Sequence, residues 1–266
     1  MFNPMVTHDF LRDVQIYQHK DGYRFSVDAL LIYSFVNLSH AKSIADLGAG
    51  SGVIGLLLAK KYPESKVALI ELQEGLARLA EKNVAVNKLE DRVKVINTDI
   101  KELFKWHAAT MDLQSKGIRE DSKGDAAYDY GSLIGKYDLV VSNPPYRRVT
   151  SGKISPGDER AIARHEVKLP LPELAKAASL LLKHNGRFAM VHLPERLIEI
   201  IVALQGNGME PKRLRFVHSK VDAEAKMILI EAVKGARPGL VVEKPLLIYK
   251  DDGSYTEEMQ ELYTVE

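Results

Sequence analysis

A turn built from three alternating glycines restricts the possible fold of this chain more than any other feature of its sequence. The run Asp46-Leu-Gly-Ala-Gly-Ser-Gly-Val-Ile-Gly55, here called the glycine loop, follows an apolar segment at residues 42–47 and leads into a helix-like segment at 53–60. Glycine tolerates positive φ and lets a ligand approach the main chain, and the start of the next helix offers unpaired N–H groups. A strand, a glycine turn and a helix in this order are typical of α/β proteins that bind ligands at the carboxyl ends of parallel strands.

Apolar runs alternate with segments of helical periodicity along the rest of the chain, which predicts a doubly wound, mostly parallel α/β sheet with helices on both faces. Seven strands are expected, at residues 42–47, 67–70, 92–97, 137–142, 187–193, 213–218 and 226–233. Helices are expected at residues 53–60, 75–87, 171–183 and 195–205, the third of them closed by Asn185-Gly186 as a C-cap. With 266 residues, 45% of them hydrophobic, the chain can build a single domain with a substantial core.

Two polar segments interrupt this alternation. Residues 106–136 are charge-mixed and contain glycines, and we interpret them as a surface insert loop rather than a lid. Residues 147–165 directly follow the Asn-Pro-Pro-Tyr run and are expected to form a substrate lid over the ligand crevice. Residues 1–40 form an N-terminal lead-in to the glycine loop.

Composition excludes several classes of protein. The chain has no cysteine, so disulfides, thiolate metal sites and cysteine catalysis are excluded, and a reducing cytoplasm is the expected location. No apolar run approaches 18 residues, and the first ten residues lack the pattern of a secretory signal, so we expect no membrane association. The net charge of +1 means that a nucleic-acid partner would have to be held by a local basic patch.

The glycine loop differs from loops that bind phosphate. Gly48, Gly50 and Gly52 form Gly-x-Gly-x-Gly, whereas a dinucleotide fingerprint has Gly-x-Gly-x-x-Gly and a triphosphate loop has Gly-Lys-Ser/Thr. Asp46 at the head of the loop would repel a phosphate and suits a cationic amine, such as the methionine end of S-adenosylmethionine (SAM). We therefore predict that Asp46 and these three glycines bind SAM, the alternative being a tight connection without a ligand.

Two further acids end the next two predicted strands. Glu71 ends the second strand, where a carboxylate accepts hydrogen bonds from ribose hydroxyls. Asp99 follows the third strand and can accept from the adenine amino group. We predict both as SAM ligands; alternatively Glu71 is a solvated strand-end acid and Asp99 the N-cap of a helix.

The residues after the fourth predicted strand, Asn143, Pro144, Pro145 and Tyr146, predict a site for a planar amine. Both prolines lack an N–H donor, which leaves carbonyl acceptors: the Asn143 side-chain oxygen and the backbone oxygen of Asn143 or Pro144. An NH₂ group can donate one proton to each, and Tyr146 can stack on a flat base. We predict that these four residues catalyse methyl transfer by positioning, without a strong general base, and that Asn143 also borders SAM. The alternative is a structural Pro-Pro turn.

Through these residues the chain resembles the class I (Rossmann-type) SAM-dependent N-methyltransferases, and more narrowly the tRNA1(Val) (adenine-N6)-methyltransferase family. Residues 22–31, 163–166 and 231–239 also resemble that family. The resemblance implies a Rossmann-like methyltransferase domain over residues 1–266, SAM as cofactor, and the N6 amino group of the adenine beside a tRNA anticodon as acceptor. It also implies a SAM contact by Arg24, although the neighbouring Ser26 can simply cap a helix. We expect a cytoplasmic monomer without a metal ion.

Basic residues near the acceptor motif and in the C-terminal third are predicted to bind RNA phosphates. They are Arg147, Arg148, Lys212, Arg213, Arg215, Lys234 and Arg237. Acids are interspersed among them, so ordinary surface charges are the alternative.

Three other functions remain open on the sequence. Glutamine N5-methyltransferases of release factors share the Asn-Pro-Pro-Tyr run but carry a longer N-terminal domain than the roughly 45 residues that precede Asp46 here. Methylation of ribosomal RNA or DNA would use the same chemistry. A non-catalytic binding module is the third possibility, and the intact Asp46, Glu71 and Asn143 argue against it.

Overall fold

A computed structural model describes residues 6–19, 27–115, 130–146 and 170–264 of the chain. The strands are β1 (Val6–Leu11), β2 (Val14–His19), β3 (Ser43–Leu47), β4 (Lys66–Glu71), β5 (Val93–Asn97), β6 (Tyr137–Ser142), β7 (Leu182–His192), β8 (Met209–His218), β9 (Ala225–Lys234), β10 (Val241–Val242) and β11 (Leu246–Leu247). The helices are α1 (Val27–Phe35), α2 (Val53–Lys61), α3 (Glu74–Val86), α4 (Ile100–Ser115), α5 (Leu171–Leu181), α6 (Leu197–Gly206) and α7 (Glu257–Tyr263), with short 3₁₀ turns at Tyr130–Ser132 and Pro194–Arg196.

The predicted doubly wound α/β architecture is confirmed. The main sheet has the order β10-β8-β9-β7-β6-β3-β4-β5, with β11 also paired to β8. Strands β3 to β7 run parallel to one another, and β9 lies antiparallel between β7 and β8. The seven predicted strands are all present, and the two-residue strands β10 and β11 extend the sheet to nine. Because the chain leaves β3 toward β4 and later returns to β6 on the other side, a crevice forms at the carboxyl ends of β3 and β6.

Side chains on the two faces of the sheet form two separate cores. Ile44 of β3 joins the cluster beneath α1, α2 and α3, whereas the next residue, Ala45, joins the cluster beneath α4, α5 and α6. Since both faces of the parallel strands are covered, both sets of side chains are apolar, as the near-continuous apolar runs predict.

The predicted C-terminal end of the helix at residues 171–183, which is α5 in the structure, is wrong. This helix ends at Leu181, and Asn185-Gly186 lies within β7 rather than at a C-cap. Between the paired positions Tyr137–Leu182 and Leu139–Arg187, four residues of β7 face a single residue of β6, which makes a bulge. Asn185 takes a φ of 62° there. Asn-Gly suits a left-handed backbone in a bulge as well as at a helix end, so the sequence signal was real but its structural context was misassigned.

The predicted insert loop at residues 106–136 is also partly wrong. Helix α4 continues to Ser115, and residues 130–132 form a 3₁₀ turn before β6. Leu103 is buried at the start of α4 and anchors the helix, and good helix formers such as Ala108 and Ala109 extend it into solvent. Residues 116–129 and the predicted lid at 147–165 lie outside the described residues.

The N-terminal lead-in contains a β-hairpin, β1–β2, that was not predicted. It is held to α3 by Asn83 of that helix and by Asn87, the C-cap residue that follows it. Asn83 binds both the N–H (2.7 Å) and the carbonyl (3.1 Å) of Tyr17, and Asn87 does the same for Gln15 (2.9 and 2.7 Å). Asn83 also donates to the carbonyl of Ser51 at 2.9 Å, so the hairpin is fixed beside the glycine loop.

Candidate active site

The glycine loop folds back over the end of β4. The amides of Gly48 and Ala49 both donate to the carbonyl of Ile70, at 2.9 and 3.1 Å. Gly48, Gly50 and Gly52 have φ values of 71°, 58° and 86°, in the left-handed region that favours glycine. A Cβ on Gly48 or Gly50 would meet no atom within 4 Å, so the backbone conformation, rather than crowding by protein atoms, requires glycine at these two positions.

Gly52 and the last glycine of the loop serve packing. A Cβ on Gly52 would lie 2.8 Å from Leu69 Cδ1, and one on Gly55 would overlap the same side chain. The two glycines therefore let α2 lie directly against β4, which aims the first turn of the helix at the crevice.

Asp46 is a buried acid with one unused oxygen. It is 1% exposed, and its Oδ2 accepts a hydrogen bond from the amide of Gly55 at 2.9 Å. Its Oδ1 is buried and has no partner among the residues that the structure describes. Burial raises the pKa of Asp46 from 3.8 to about 7; the Gly55 hydrogen bond opposes the shift and the charge of Glu71 adds to it. A cation placed at Oδ1 would therefore gain a strong electrostatic interaction.

Glu71 and Asp99 both hold backbone amides. Glu71 is 5% exposed and accepts from Gly50 through Oε2 (2.9 Å) and from Gln73 through Oε1 (2.8 Å). Each carboxylate oxygen still has a second acceptor site. Asp99 accepts from the amide of Lys101 at 2.9 Å, which confirms its role as the N-cap of α4. Its contact with an adenine stays a prediction.

A buried serine joins the glycine loop to the Asn-Pro-Pro-Tyr motif. Ser142, the last residue of β6, donates from Oγ to the carbonyl of Leu47 at 2.7 Å, and Leu47 is the last residue of β3. The two motifs therefore begin from bonded neighbours at the same edge of the sheet.

Within the motif, the Tyr146 hydroxyl closes a small hydrogen-bonded cluster. It lies 2.8 Å from Oδ1 of Asn143 and 2.7 Å from Oδ2 of Asp28, a residue of α1 that is 7% exposed. A hydroxyl carries one proton, so it can donate to only one of these oxygens at a time. The predicted acceptor oxygen of Asn143 is thus in contact with Tyr146 in this state.

Sequence reasoning missed His192. This last residue of β7 is 1% exposed, and its ring meets that of Tyr146 edge-on, with 5.3 Å between centroids. Nδ1 accepts from the amide of Leu193 at 2.7 Å, and Nε2 has no partner in the described parts of the chain. Burial, helped by the charge of Arg196, lowers the pKa of His192 to about 4. The only sequence signal is a histidine that closes an apolar run, and its relation to the motif appears once β7 is paired with β6.

Most of the predicted RNA-binding side chains are tied to protein groups. Arg213 pairs with the buried Glu231 and with Glu243, and Arg215 forms two hydrogen bonds with Glu258. Lys212 donates to the carbonyl of Arg237, and Lys234 donates to the carbonyls of Ser179 and Leu182.

The strand register separates part of this basic set from the acceptor motif. Lys234 is paired with Met209 beyond the Val233–Arg187 pair, toward the amino ends of the parallel strands. Asn143 lies past the opposite ends of the same strands, so the structure does not bring Lys234 and the motif together. Arg24, Arg147 and Arg148 lie outside the described residues.

Two classes of site are not found in the described parts of the chain. They contain no group of three His, Asp or Glu side chains that could hold a metal ion. None of the helices in these parts has the length and hydrophobicity of a membrane span.

Comparison with known proteins bears on the fold and the family. A family model described as a methyltransferase small domain matches residues 26–114. Among solved structures, a predicted O-methyltransferase from Agrobacterium tumefaciens shares the fold, with a TM-score of 0.65, 22% identity, and coverage of 89% of this chain and 95% of that one. TYW2 of M. jannaschii, solved in complex with AdoMet, has a TM-score of 0.53 and 14% identity, over 88% and 87% of the two chains.

Curated relatives are similar over most of their length. The tRNA1(Val) (adenine(37)-N6)-methyltransferase of Haemophilus influenzae (strain PittEE) is 26% identical over 94% of both chains. The protein of the same name from Porphyromonas gingivalis (strain ATCC 33277) is 31% identical over 214 residues, which are 78% of this chain and 73% of that relative. The chain therefore belongs to the tRNA1(Val) (adenine(37)-N6)-methyltransferase family.

Proposed function

We propose that the protein transfers a methyl group from SAM to the N6 amino group of an adenine in tRNA, and that it acts as a cytoplasmic monomer. The observation that carries the proposal is the hydrogen bond from Ser142 to Leu47, because it sets the Asn-Pro-Pro-Tyr motif beside the glycine loop. A donor held by one and an amine held by the other would meet at the crevice between β3 and β6.

The residues of the glycine loop fit SAM. The unpartnered Oδ1 of Asp46 suits the cationic amine of the methionine end, and the positive-φ backbone at Gly48 and Gly50 leaves room above the loop. Glu71 keeps acceptor capacity for the ribose hydroxyls, and Asp99 stands at the end of the next strand for the adenine. When bound, SAM supplies an electrophilic methyl group on a sulfonium.

The Asn-Pro-Pro-Tyr motif would hold the amine. Asn143 Oδ1 and the Pro144 carbonyl each accept one N–H, which leaves the nitrogen lone pair less committed to the ring and directed at the methyl group. The amine takes the place of the Tyr146 hydroxyl at Asn143, and the freed Tyr146 ring stacks on the base. No strong base is required, because the nitrogen becomes acidic once it carries the methyl group.

The substrate class is tested by following the methyl group. Purified protein is incubated with radiolabelled SAM and bulk tRNA, and the RNA is digested to nucleosides. We expect label in N6-methyladenosine. Label only in protein would favour a glutamine methyltransferase, and label in N2-methylguanosine a guanine-specific enzyme.

Two variants test the assignment of the two ends of the site. Asn143→Ala should lose methyl transfer while SAM binding survives, because Asn143 only borders the cofactor, whereas Asp46→Ala should lose SAM affinity. Equal losses of SAM affinity in the two variants would show that the cofactor-binding end and the amine-binding end of the site are misassigned.

A further inference from the structure

His192 is a buried hydrogen-bond donor for which the described residues provide no acceptor. Its Nδ1 accepts the N–H of Leu193, which fixes the neutral tautomer with the proton on Nε2. That N–H is buried and has no acceptor in the described residues. Burial holds the pKa of His192 near 4, so the ring remains neutral and Nε2 remains a donor across the physiological range. Since buried polar groups are nearly always hydrogen-bonded, an unused donor calls for an explanation.

The position of His192 relates it to the amine site. β7 pairs with β6 through Met190 and Ser142, so the two residues that follow Met190 run alongside the start of the Asn-Pro-Pro-Tyr motif. The imidazole packs edge-on against the ring of Tyr146. Tyr146 is also the residue that covers Asn143 in this state, so whatever displaces its hydroxyl also changes the surroundings of His192.

We propose that His192 is a base-recognition residue, whose Nε2–H donates a hydrogen bond to an unprotonated ring nitrogen of the base that Asn143 holds. The inference rests on the proposed function, because it takes the acceptor to be an adenine. Adenine has bare ring nitrogens on both sides of its amino group, N1 and N7. Guanine carries a proton on N1, so a fixed donor that faces the N1 side of the base would reject guanine.

The proposal also accounts for the low basicity of the ring. A histidine that became protonated would place a positive charge beside a nitrogen that must itself become cationic during methyl transfer. A neutral donor orients the base without that repulsion.

The test combines variants with altered substrates. His192→Phe keeps a flat ring against Tyr146 but removes the donor, and His192→Gln places an amide NH₂ near the position of Nε2. Methyl transfer is measured on tRNA that carries adenosine, 1-deazaadenosine or 7-deazaadenosine at the methylated position. SAM affinity and the urea unfolding midpoint of each variant provide the controls for folding.

We expect His192→Phe to lower kcat/KM on normal tRNA by about fivefold to tenfold, the loss typical of one neutral hydrogen bond, with SAM affinity unchanged. His192→Gln should recover part of the loss. For one of the two deaza substrates, the kcat/KM of the wild type should fall by a similar factor. The kcat/KM of His192→Phe should then be the same on that substrate as on normal tRNA, because both changes remove the same hydrogen bond.

The inference is overturned if His192→Phe is as active as the wild type on normal tRNA. It is also overturned if, on each of the two deaza substrates, the variant loses the same factor in kcat/KM as the wild type does. A wild type that places no methyl group on adenine in tRNA would overturn the proposed function itself. Failure of the inference appears as a ratio of activities between His192→Phe and the wild type. Failure of the proposed function appears in the activity of the wild type alone, so the two failures are distinguishable.

Discussion

The amide of Gly55 donates a hydrogen bond to Oδ2 of Asp46 at 2.9 Å, and Oδ1 of the same carboxylate is buried without a partner in the described chain. The bond to Gly55 ties the end of β3 to the first turn of α2. The second oxygen leaves a site of unbalanced negative charge at the head of the glycine loop. An acid in this situation gains a proton easily and releases it when a cation arrives.

SAM affinity should therefore depend on pH through Asp46. Burial holds the pKa of Asp46 at about 7, above its ordinary 3.8, so at pH 6 most molecules carry a neutral carboxyl that attracts a cationic amine poorly. We expect the affinity of the wild type to fall about tenfold between pH 8 and pH 6. Isothermal titration at both pH values measures the effect and also the proton released on binding.

Asp46→Asn is the control for this titration. The variant should bind SAM weakly at both pH values, with no proton release from this site. The same pKa shift sets the direction for stability: the folded chain keeps the proton between pH 4 and 7 while the unfolded chain loses it, so the wild type should lose stability relative to Asp46→Asn as the pH rises through that window. An unchanged difference between the two proteins would contradict the raised pKa.

A side chain at Gly55 should destabilise the packing of α2 against β4. Gly55→Ala places a methyl group against Leu69, between α2 and β4, and we expect it to lower the free energy of unfolding by about 1–3 kcal/mol. Gly75→Ala, in α3, is the control, because a Cβ there meets nothing within 4 Å and alanine favours the helix. Urea denaturation compares the two. A neutral Gly55→Ala would mean that α2 can shift away from the sheet.

Asn83→Ala should release the N-terminal hairpin. The substitution leaves the N–H and carbonyl of Tyr17 and the carbonyl of Ser51 without their partner, and we expect a loss of about 2–4 kcal/mol in stability. Amide hydrogen exchange should accelerate in β2. The exposed neighbour Glu81, changed to Ala, should stay within about 0.5 kcal/mol of the wild type. Equal behaviour of the two variants would rule out this role for Asn83.

Substitution of Lys234 and Arg237 distinguishes a residue that stabilises the fold from one that binds RNA phosphate. Lys234 donates to two backbone carbonyls, at 2.6 and 3.0 Å, and burial lowers its pKa. We expect Lys234→Met to reduce stability by about 1–3 kcal/mol and to leave the salt dependence of tRNA binding unchanged. Arg237→Met, at an exposed position, should leave stability unchanged and reduce the salt slope by about one. The reverse pattern would make Lys234 the phosphate contact.

The parts of the fold that the sequence predicted correctly are those governed by local pattern. The strand that contains Asp46 follows from residue type and spacing over a few positions. Alternating glycines permit the positive φ of the loop, and the N-cap at Asp99 was the alternative to its predicted adenine contact. Asn185-Gly186 was misassigned because the same left-handed preference serves a helix end and a strand bulge, and only the pairing with β6 decides between them.

Features that depend on distant contacts were out of reach. The hairpin β1–β2 is stabilised by asparagines 66 and 72 positions away, and nothing in its own sequence indicates those partners. The ion pairs of Arg213 with Glu231 and Glu243 could not be seen either, since a basic residue on a strand looks the same whether it faces RNA or an acid of the same protein. His192 acquires its meaning only when β7 is placed beside β6.

The attachment of β2 to α3 depends on a coincidence of two repeat lengths. Asn83 of α3 and its C-cap Asn87 are four residues apart, over which a helix advances about 6 Å. Their partners Tyr17 and Gln15 are two residues apart on a strand, which advances about 6.8 Å. The near match lets a helix substitute for a neighbouring strand and satisfy the free edge of the hairpin. That edge of β2 is then closed to pairing with another polypeptide.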